Sequence, residues 1–513
     1  MNTPPSALPS NLMALFPLIL LAASAVVVML AAAFYRHPRP VVMLTLTGLV
    51  LSFASLFLSQ GIGSRQVTAL LVLDHYALFF IGLIVVATFV VAVLCYRYFG
   101  GGESRHEALY ILLLLAALGG GVLVASSHFA SFLLGLELLS ISLFALIAYP
   151  RFTELPLEAG IKYLILAGFS SGLLLFGMAL VYAQLGTMQF AKIGTMLAAP
   201  DEALELYGMA GLALIVTGVG FKLALVPFHM WTPDVYEGAP APIAAFIATV
   251  SKGAMLVLML RYFLVAGAYQ SQPITLALSL VAVMTILVGN VLALLQDNVK
   301  RILAYSSIAQ LGYVLVGFLA YGGLAIEAVA YYLTAYFVTM LGAFGVITVL
   351  SAGLNDGSDG VAERDSDRLA DYAGLFWHRP WLAGIFTAML LSLAGIPLTM
   401  GFIGKFYILT AGVKASLWIP VIALVVGSTI GLYYYLRIIA ALFAHDAKVG
   451  FVPEAKFAGT ISLAESVTLA TLTLLLIALG IYPTLLIQLL ETTVVHLAGV
   501  PEFFALAGLV TGV

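Results

Sequence analysis

The chain has 513 residues, of which 63% are hydrophobic and only 9% are charged; its formal net charge is −3 and its mean hydropathy is +1.13. Soluble globular proteins normally carry about 25% charged residues, so the composition excludes a water-soluble domain and indicates a chain that lies mostly in lipid. The single cysteine, Cys95, argues against an iron–sulfur cluster or a structural zinc site in this chain, because such sites generally need several thiolates.

Apolar stretches of about 20 residues, long enough to cross a bilayer as helices, recur along nearly the whole chain. We predict an all-α polytopic membrane protein of about fourteen transmembrane helices. No Lys or Arg precedes Arg36, so the first span lacks the basic start of a cleaved signal peptide and should be retained. The predicted spans are 12–35, 41–60, 74–97, 107–125, 127–149, 158–186, 206–228, 240–266, 272–295, 303–321, 325–352, 381–412, 416–445 and 463–497.

Basic residues are distributed unevenly between the two faces that these spans define. Cytoplasmic loops are the ones rich in Lys and Arg, and an even number of spans then places both termini outside. The sparsely basic face has Arg65, Lys192, Arg261 and Lys414. The other face collects Arg36, Arg39, Arg97, Arg105, Arg151, Lys300, Arg301, Arg364, Arg368, Arg379, Arg437, Lys448 and Lys456.

The fifth predicted span carries Glu137 in SHFASFLLGLELLSISLFALIAY, with about ten apolar residues on either side. A bare charge at the bilayer centre costs roughly 3 kcal/mol or more, so this carboxylate should face the bundle interior. We interpret it as a proton-relay group, and a structural ion pair is the alternative. Lys162 is only about five residues into the next span. It is either an accessory relay group or a snorkelling lysine paired with Glu158, four residues earlier.

The seventh span should break at Pro227 in GFKLALVPFHMW, because proline removes a backbone donor and clashes with the preceding turn. Lys222 lies within two turns of this break, where a loosened backbone can admit water. Burial and a nearby Glu137 carboxylate would shift its pKa in opposite directions, which suits a proton carrier. His229 follows the break directly and is either an accessory relay group or a capping group.

The proline-rich segment from Trp231 to Pro242 is predicted to be a rigid loop that positions the next helix. Asp234 and Glu237 within it are expected to form loop hydrogen bonds rather than to carry protons. The following span contains Lys252, ten residues after Pro242, which at about 1.5 Å per residue is some 15 Å into a membrane core roughly 30 Å thick. Snorkelling is difficult from that depth, so we favour a proton-relay site.

The tenth span contains YSSIAQLGY, Tyr305–Tyr313, whose hydroxyls and amide either order water between the two halves or bond neighbouring helices. The twelfth span is interrupted by Gly395 and Pro397 in LAGIPLTMGFIGKF. It carries Lys405 eight residues after the proline. We interpret Lys405 as the counterpart of Lys222 in a second half-channel, and an anchor near the outer interface is the alternative.

The two interrupted spans occupy the fourth position of two five-helix units, 107–266 and 272–445. Paired interrupted helices mark inverted-repeat transporters with ion sites near the midplane. We predict two inverted five-helix repeats with two broken helices, preceded by an N-terminal three-helix segment, 1–106, and followed by a C-terminal helix and tail, 446–513. The longest polar segment, Asn355–Trp381, is either a connector with a short surface helix or a partner-docking surface.

Five segments closely resemble the antiporter-like membrane subunits of respiratory complex I, the NADH:quinone oxidoreductase: LGLELLS, GFKLALVPFHMWTPDVYEGAPAPI, SKGAMLVLMLR, DNVKRILAYSSIAQLGY and SLAGIPLTMGFIGKF. The resemblance covers about residues 10–445. Among the large subunits of that type the chain is most similar to chain N. Lys405 stands where chain M has a glutamate, LFWHRP and YYYLR resemble chain N, and no long lateral helix of the chain L kind follows the fourteenth span.

The resemblance implies proton translocation across a bacterial inner membrane, with both termini periplasmic. NADH oxidation and quinone reduction would occur in other subunits, which would hold NAD, FMN, the iron–sulfur clusters and the quinone, and this chain would hold no cofactor. The implied partners are other membrane-arm subunits, the neighbouring subunit M and the small subunit K, with no nucleic acid. The implied relay consists of Glu137, Lys222, Lys252 and Lys405, with Lys162 and His229 as accessory groups.

Two other classes of function remain open at this stage. One is a subunit of a multisubunit sodium/proton antiporter, which shares the same ancestry and the same lysines. The other is a scaffold subunit that does not pump, in which the buried charges are structural pairs. Sodium-dependent transport would identify the first, and lysine substitutions that leave assembly and pumping intact would identify the second.

Overall fold

A computed structural model of the protein describes residues 7–34, 38–100, 106–150, 153–197, 206–267, 272–354, 365–444 and 461–495. Several positions singled out in the sequence lie outside these ranges: 355–364 of the polar segment, the tail 496–513, and Arg36, Arg105, Arg151, Arg364, Lys448 and Lys456. Within the described ranges the regular structure consists of α-helices, a 3₁₀ helix (Leu369–Tyr372), a π-helical turn (Ile247–Ser251) and one short hairpin, in which Arg65–Gln66 (β1) pairs antiparallel with Val72–Leu73 (β2).

The helices follow the apolar stretches of the sequence, because a backbone in lipid must satisfy its hydrogen bonds within the segment. They are α1 (Ala7–Ala14), α2 (Phe16–Phe34), α3 (Pro38–Gln60), α4 (His75–Tyr98), α5 (Glu107–Val124), α6 (Phe129–Ile147), α7 (Glu154–Leu185), α8 (Phe190–Leu197), α9 (Leu206–Lys222), α10 (Trp231–Gly238), α11 (Ala241–Phe246), α12 (Lys252–Val265), α13 (Gln272–Leu294), α14 (Val299–Ala320), α15 (Gly323–Leu354), α16 (Leu375–His378), α17 (Pro380–Ala394), α18 (Met400–Lys414), α19 (Trp418–Phe443), α20 (Leu463–Ile481) and α21 (Thr484–Val495).

Twelve helical segments in the described ranges are long and apolar enough to cross a membrane. One of them, Ala241–Val265, combines α11 and α12 through a π-helical turn. Two shorter apolar helices, α9 and α17, add to these. The prediction of an all-α polytopic membrane protein is confirmed, with 12 to 14 candidate crossings.

Two stretches differ from the sequence prediction. The last predicted span, 463–497, is divided into α20 and α21 around Tyr482 and Pro483, because proline cannot continue the helix that precedes it. The segment from Trp231 to Gly238 is helical, so the prediction of a rigid loop there was wrong. Pro233 falls in the first turn of α10, where its missing N–H has no intrahelical partner to lose.

The centre of the protein is formed by α14, α15 and the crossing Ala241–Val265, which are buried along their apolar length, whereas only about a third or less of the apolar length of α2, α7 and α20 is buried. Helices in lipid associate through close packing rather than through a hydrophobic driving force, and small residues allow it. At the contact of α5 and α6, a Cβ added to Gly119 would lie 2.6 Å from the backbone nitrogen of Leu139. Charges on the central helices are therefore held inside a tightly packed bundle.

Candidate functional site

Lys222 is the last residue of α9, and its side chain is buried with 4% of its surface exposed. Its ammonium donates a hydrogen bond of 2.8 Å to the Ser140 hydroxyl on α6 and lies 5.7 Å from the centre of the Tyr163 ring. Glu137, one turn before Ser140, is within electrostatic reach of Lys222, and its Oε1 is buried without a hydrogen-bond partner among the described residues. Lys222 is thus bonded directly to a hydroxyl and not to a carboxylate.

Lys252 is fully buried and begins α12 immediately after the π-helical turn Ile247–Ser251. Such turns are rare and often occur at functional sites, and this one was not predicted from the sequence. The Lys252 ammonium donates a hydrogen bond of 2.7 Å to the Ser307 hydroxyl on α14. It also lies 5.0 Å from the centre of the Tyr236 ring and 5.9 Å from that of Trp231.

Lys405 lies on α18, next to the end of α17, and is 8% exposed. The last carbonyls of a helix have no partner within the helix. The ammonium of Lys405 supplies one, because it donates hydrogen bonds to the carbonyls of Leu393 (2.8 Å) and Ala394 (3.0 Å) and to the Ser428 hydroxyl (3.0 Å). Gly395, with a φ of +84°, turns the chain away from α17 at this point.

A series of polar side chains and one backbone carbonyl leads from Lys252 towards Lys405. Ser306, beside the serine that binds Lys252, is hydrogen-bonded to the Tyr435 hydroxyl. The Gln310 amide donates to that hydroxyl at 3.1 Å and to the carbonyl of Leu393 at 3.0 Å. The same carbonyl also accepts a hydrogen bond from Lys405. The serines and the glutamine belong to the YSSIAQLGY segment, so these side chains bond to neighbouring helices and also form this connection.

Lys162 lies in a different environment, because 44% of its side chain is exposed. Its ammonium is 2.7 Å from Glu158 and 3.0 Å from Asp234, so the pairing with Glu158 is present. Asp234 is also 2.9 Å from Arg301, which in turn is 2.6 Å from Glu237. These five residues, here called the inner-face cluster, are joined by ion pairs at the ends of α7, α10 and α14.

His229 lies between α9 and α10 and is 6% exposed. Neither of its ring nitrogens has a hydrogen-bond partner among the described residues, although the ring is near the carbonyl of Pro227. Its backbone carbonyl accepts a hydrogen bond of 3.1 Å from the nitrogen of Thr232 in α10. The ring itself therefore makes no capping hydrogen bond to α10 in the described structure.

Two buried ion pairs were missed by the sequence analysis, which counted Arg261 and Lys300 among the basic residues of the two faces. Both are buried, with 2% and 1% exposed. Arg261 donates two hydrogen bonds, of 2.7 and 2.8 Å, to Asp74, and Lys300 is 2.6 Å from Asp365. Asp74 and Arg261 are 187 positions apart in sequence, so no local pattern indicates the pair.

The described part of the chain contains no group of three or more His, Cys, Asp or Glu side chains placed to hold a metal ion. Three buried lysines, Lys222, Lys252 and Lys405, are bonded to hydroxyls and carbonyls, and the Glu137 carboxylate lies near the first of them. Such an arrangement can accept, hold and release protons, because lysine and carboxylate groups change charge by a single proton.

Residues 126–431 match the family described as NADH:quinone oxidoreductase/Mrp antiporter, TM. The chain is 80% identical over 500 residues to NADH-quinone oxidoreductase subunit N of Nitrosospira multiformis, covering 96% of this chain and 99% of that protein. A chain of respiratory complex I from Thermus thermophilus with bound aureothin superposes with a TM-score of 0.77 at 31% identity; the match covers 93% of this chain and 100% of that chain. A chain of the Mrp complex from Dietzia sp. DQ12-45-1b shares the fold, with a TM-score of 0.82 at 19% identity over 97% and 99% of the two chains.

Proposed function

The chain belongs to the subunit N family of NADH-quinone oxidoreductase, and from this premise we propose that Glu137, Lys222, Lys252 and Lys405 carry protons through the membrane arm. The chain is a subunit of an enzyme that transfers electrons from NADH to quinone. We propose that NAD, FMN, the iron–sulfur clusters and the quinone are bound by its other subunits. The role of this chain would then be to convert a signal from those subunits into proton movement.

The observation that carries this proposal is the bonding of the three buried lysines. Each ammonium donates to neutral oxygens, and no carboxylate lies within salt-bridge distance of any of the three among the described residues. A buried lysine paired with a carboxylate is held in its charged form, and its neutralisation would strand an anion. A lysine bonded to hydroxyls and carbonyls can lose its proton without leaving a buried charge behind.

The polar groups between Lys252 and Lys405 support a route along the membrane plane rather than a single site. Serine and tyrosine hydroxyls can both donate and accept a hydrogen bond, as a proton relay requires. Glu137 would exchange a proton with Lys222, since its unpartnered Oε1 lies one helical turn from the serine that binds this lysine. Lys162, in the inner-face cluster, and His229, beside the end of α9, would have accessory roles.

The proposed architecture is a pair of inverted repeats, 107–266 and 272–445, between an N-terminal segment, 1–106, and a C-terminal part, 446–513. The support is that α9 and α10, like α17 and α18, are pairs of short helices separated by a few non-helical residues, and each pair has a buried lysine beside the gap. Interrupted helices of this kind hold the ion sites of inverted-repeat transporters. The bias of basic residues supports periplasmic termini in a bacterial inner membrane.

We propose the antiporter-like subunit M and the small subunit K as the neighbours of this chain in the membrane arm. Membership of the subunit N family supports this assignment. Large apolar side chains exposed on helices such as α2, α3, α7, α13 and α19 are suited to lipid or to neighbouring membrane subunits. Cross-linking of the intact complex through cysteines introduced on these faces would identify the neighbour at each one.

The test is proton pumping and NADH:quinone turnover in membranes carrying Lys222→Ala, after assembly of the complex has been verified. We expect a large loss of pumping or of coupled turnover. Lys192→Ala, which removes an exposed lysine of α8, is the matched control and should behave as wild type. Unchanged pumping in an assembled Lys222→Ala complex would favour the scaffold function, and proton movement that requires sodium would favour a cation/proton antiporter.

A further inference from the structure

Two aromatic rings lie between Lys222 and Lys252. Tyr163, on α7, and Trp231, the first residue of α10, have ring centres 4.8 Å apart, and both side chains are buried. The Lys222 ammonium is 5.7 Å from the centre of the Tyr163 ring, and the Lys252 ammonium is 5.9 Å from that of Trp231. Each lysine thus contacts a different ring of one aromatic pair.

This part of the route differs from the part that leads to Lys405. Serine, tyrosine and glutamine side chains and one backbone carbonyl lead from Lys252 towards Lys405; they are hydrogen-bonded to one another except at the step from Ser307 to Ser306, which are neighbours in the chain. Lys222 and Lys252 instead contact the faces of the two rings, which have no exchangeable proton and which disfavour water, as apolar constrictions do in channels. The polar group at the edge of the pair is the Tyr163 hydroxyl, which lies near Ser251.

The orientation of Trp231 is linked to the end of α9. Its indole N–H donates a hydrogen bond of 2.9 Å to the carbonyl of Phe221, the residue before Lys222. The rings of Phe221 and Trp231 are also stacked, with centres 5.6 Å apart and planes at 28°. Carbonyls at the end of a helix lack partners within it, so any change in the last turn of α9 alters the acceptor that holds the indole.

We propose that Tyr163 and Trp231 form an aromatic gate, which blocks proton exchange between Lys222 and Lys252 until the last turn of α9 moves. Trp231 is a positioning residue in this gate, because it acts through the two lysines that its ring pair separates. This inference rests on the proposed function, since a gate has a role only if both lysines carry protons. Without the gate, Lys222 and Lys252 would exchange protons at any time, and protons would leak back.

The experiment uses the intact complex reconstituted into sealed vesicles, with NADH:quinone turnover, the steady-state pH gradient and the stimulation of turnover by an uncoupler measured together. Trp231→Leu removes both the ring and the N–H, and we expect it to retain turnover but to lose most of the pH gradient and of the uncoupler stimulation. Trp231→Phe keeps a ring but loses the N–H, so its losses should be intermediate. Because Phe is closer to Trp in shape, this variant also provides a test if Trp231→Leu does not assemble.

Phe386→Leu is the packing control, since Phe386 forms a buried stacked pair with Tyr372, with ring centres 5.4 Å apart, outside the lysine contacts described above. It should keep the pH gradient and the uncoupler stimulation. Trp231 variants that assemble with both values at the wild-type level would overturn the gate. A fall of turnover and pH gradient in the same proportion would also overturn the gate, because a residue with only a structural role would give that pattern.

Lys222→Ala measured in the same vesicles separates the two proposals. If Lys222→Ala loses pumping while the Trp231 variants match wild type, the relay stands and the gate is wrong. If Lys222→Ala pumps normally, the proposed function is wrong and the gate falls with it.

Discussion

Basic residues of this protein fall into two regions with different partners. In the inner-face cluster, Lys162 and Arg301 each lie within 3.0 Å of two carboxylates and are partly exposed. In the packed interior, Lys222, Lys252 and Lys405 are buried and are bonded to hydroxyls and carbonyls. The charges near water are therefore neutralised by carboxylates, whereas these deeply buried lysines are not.

Burial alone does not account for this difference. Arg261 is as deeply buried as the three lysines, yet it forms a bidentate pair with Asp74 and stacks on the Tyr76 ring at 5.0 Å. A guanidinium cannot be deprotonated in a protein, so a permanent counter-ion is its only stable arrangement. For a buried cation, then, the partner more than the extent of burial distinguishes a permanent ion pair from a group that has no counter-ion holding its proton.

The largest effect is expected for Asp74→Leu, which leaves the Arg261 guanidinium buried without its counter-ion. Removing one partner of a buried pair costs about 3–5 kcal/mol, so we expect little assembled complex and a lower melting temperature. Native gel electrophoresis of the membranes and thermal unfolding of the purified complex would measure this. The double variant Asp74→Leu/Arg261→Met should recover much of the assembly. If Asp74→Leu alone were as stable as wild type, Arg261 would not need its counter-ion, and the contrast between Arg261 and the buried lysines would be wrong.

Lys252→Met should have the opposite profile, with assembly preserved and pumping lost. No anion is stranded by this change, because the partner of Lys252 is the Ser307 hydroxyl and not a carboxylate. That hydroxyl still accepts a hydrogen bond of 2.7 Å from Tyr336. The ratio of protons pumped to NADH oxidised, in complex of verified composition, is the quantity to measure. Failure to assemble, to the degree expected for Asp74→Leu, would mean that Lys252 is a structural cation as well.

The smallest effect is expected for Lys162→Ala. An exposed ion pair contributes about 0–1 kcal/mol, and Asp234 keeps its contact with Arg301 when the lysine is removed. Thermal stability and pumping should both remain near wild type, and raising the salt concentration should reduce any difference further, because exposed pairs are screened. A loss of pumping comparable to that of Lys252→Met would instead make Lys162 a main member of the relay.

Features that depend on local sequence were predictable, and features that depend on the packing of distant segments were not. Lys222 near Pro227, and Lys405 after Gly395, could be found because proline, glycine and an isolated charge in an apolar run act on their own neighbourhood. The pair of Asp74 and Arg261 joins α12 to the residue that precedes α4, and only the folded bundle brings them together.

The helix Trp231–Gly238 shows a second limit of the sequence analysis. A high proline content was interpreted as a loop. Whether a proline is compatible with a helix depends on its distance from the first residue of that helix, and the sequence did not show that α10 begins at Trp231. The assignment of Asp234 to loop hydrogen bonding failed for the same reason. Once α10 is helical, this carboxylate lies beside Lys162 and Arg301 and forms ion pairs with both.

The hydrogen bonds that Lys405 makes at the end of α17 depend on how many N–H groups its side chain carries. The ammonium of Lys405 has three N–H groups, and three oxygens receive them: the carbonyls of Leu393 and Ala394 and the hydroxyl of Ser428. A neutral amine has two N–H groups and one lone pair, so the set rearranges when the proton departs: either one oxygen loses its bond, or the Ser428 hydroxyl turns and donates to the amine nitrogen. Two of the three oxygens belong to the backbone at the end of α17, so a change of charge at Lys405, as proposed, would rearrange the hydrogen bonds around this helix end.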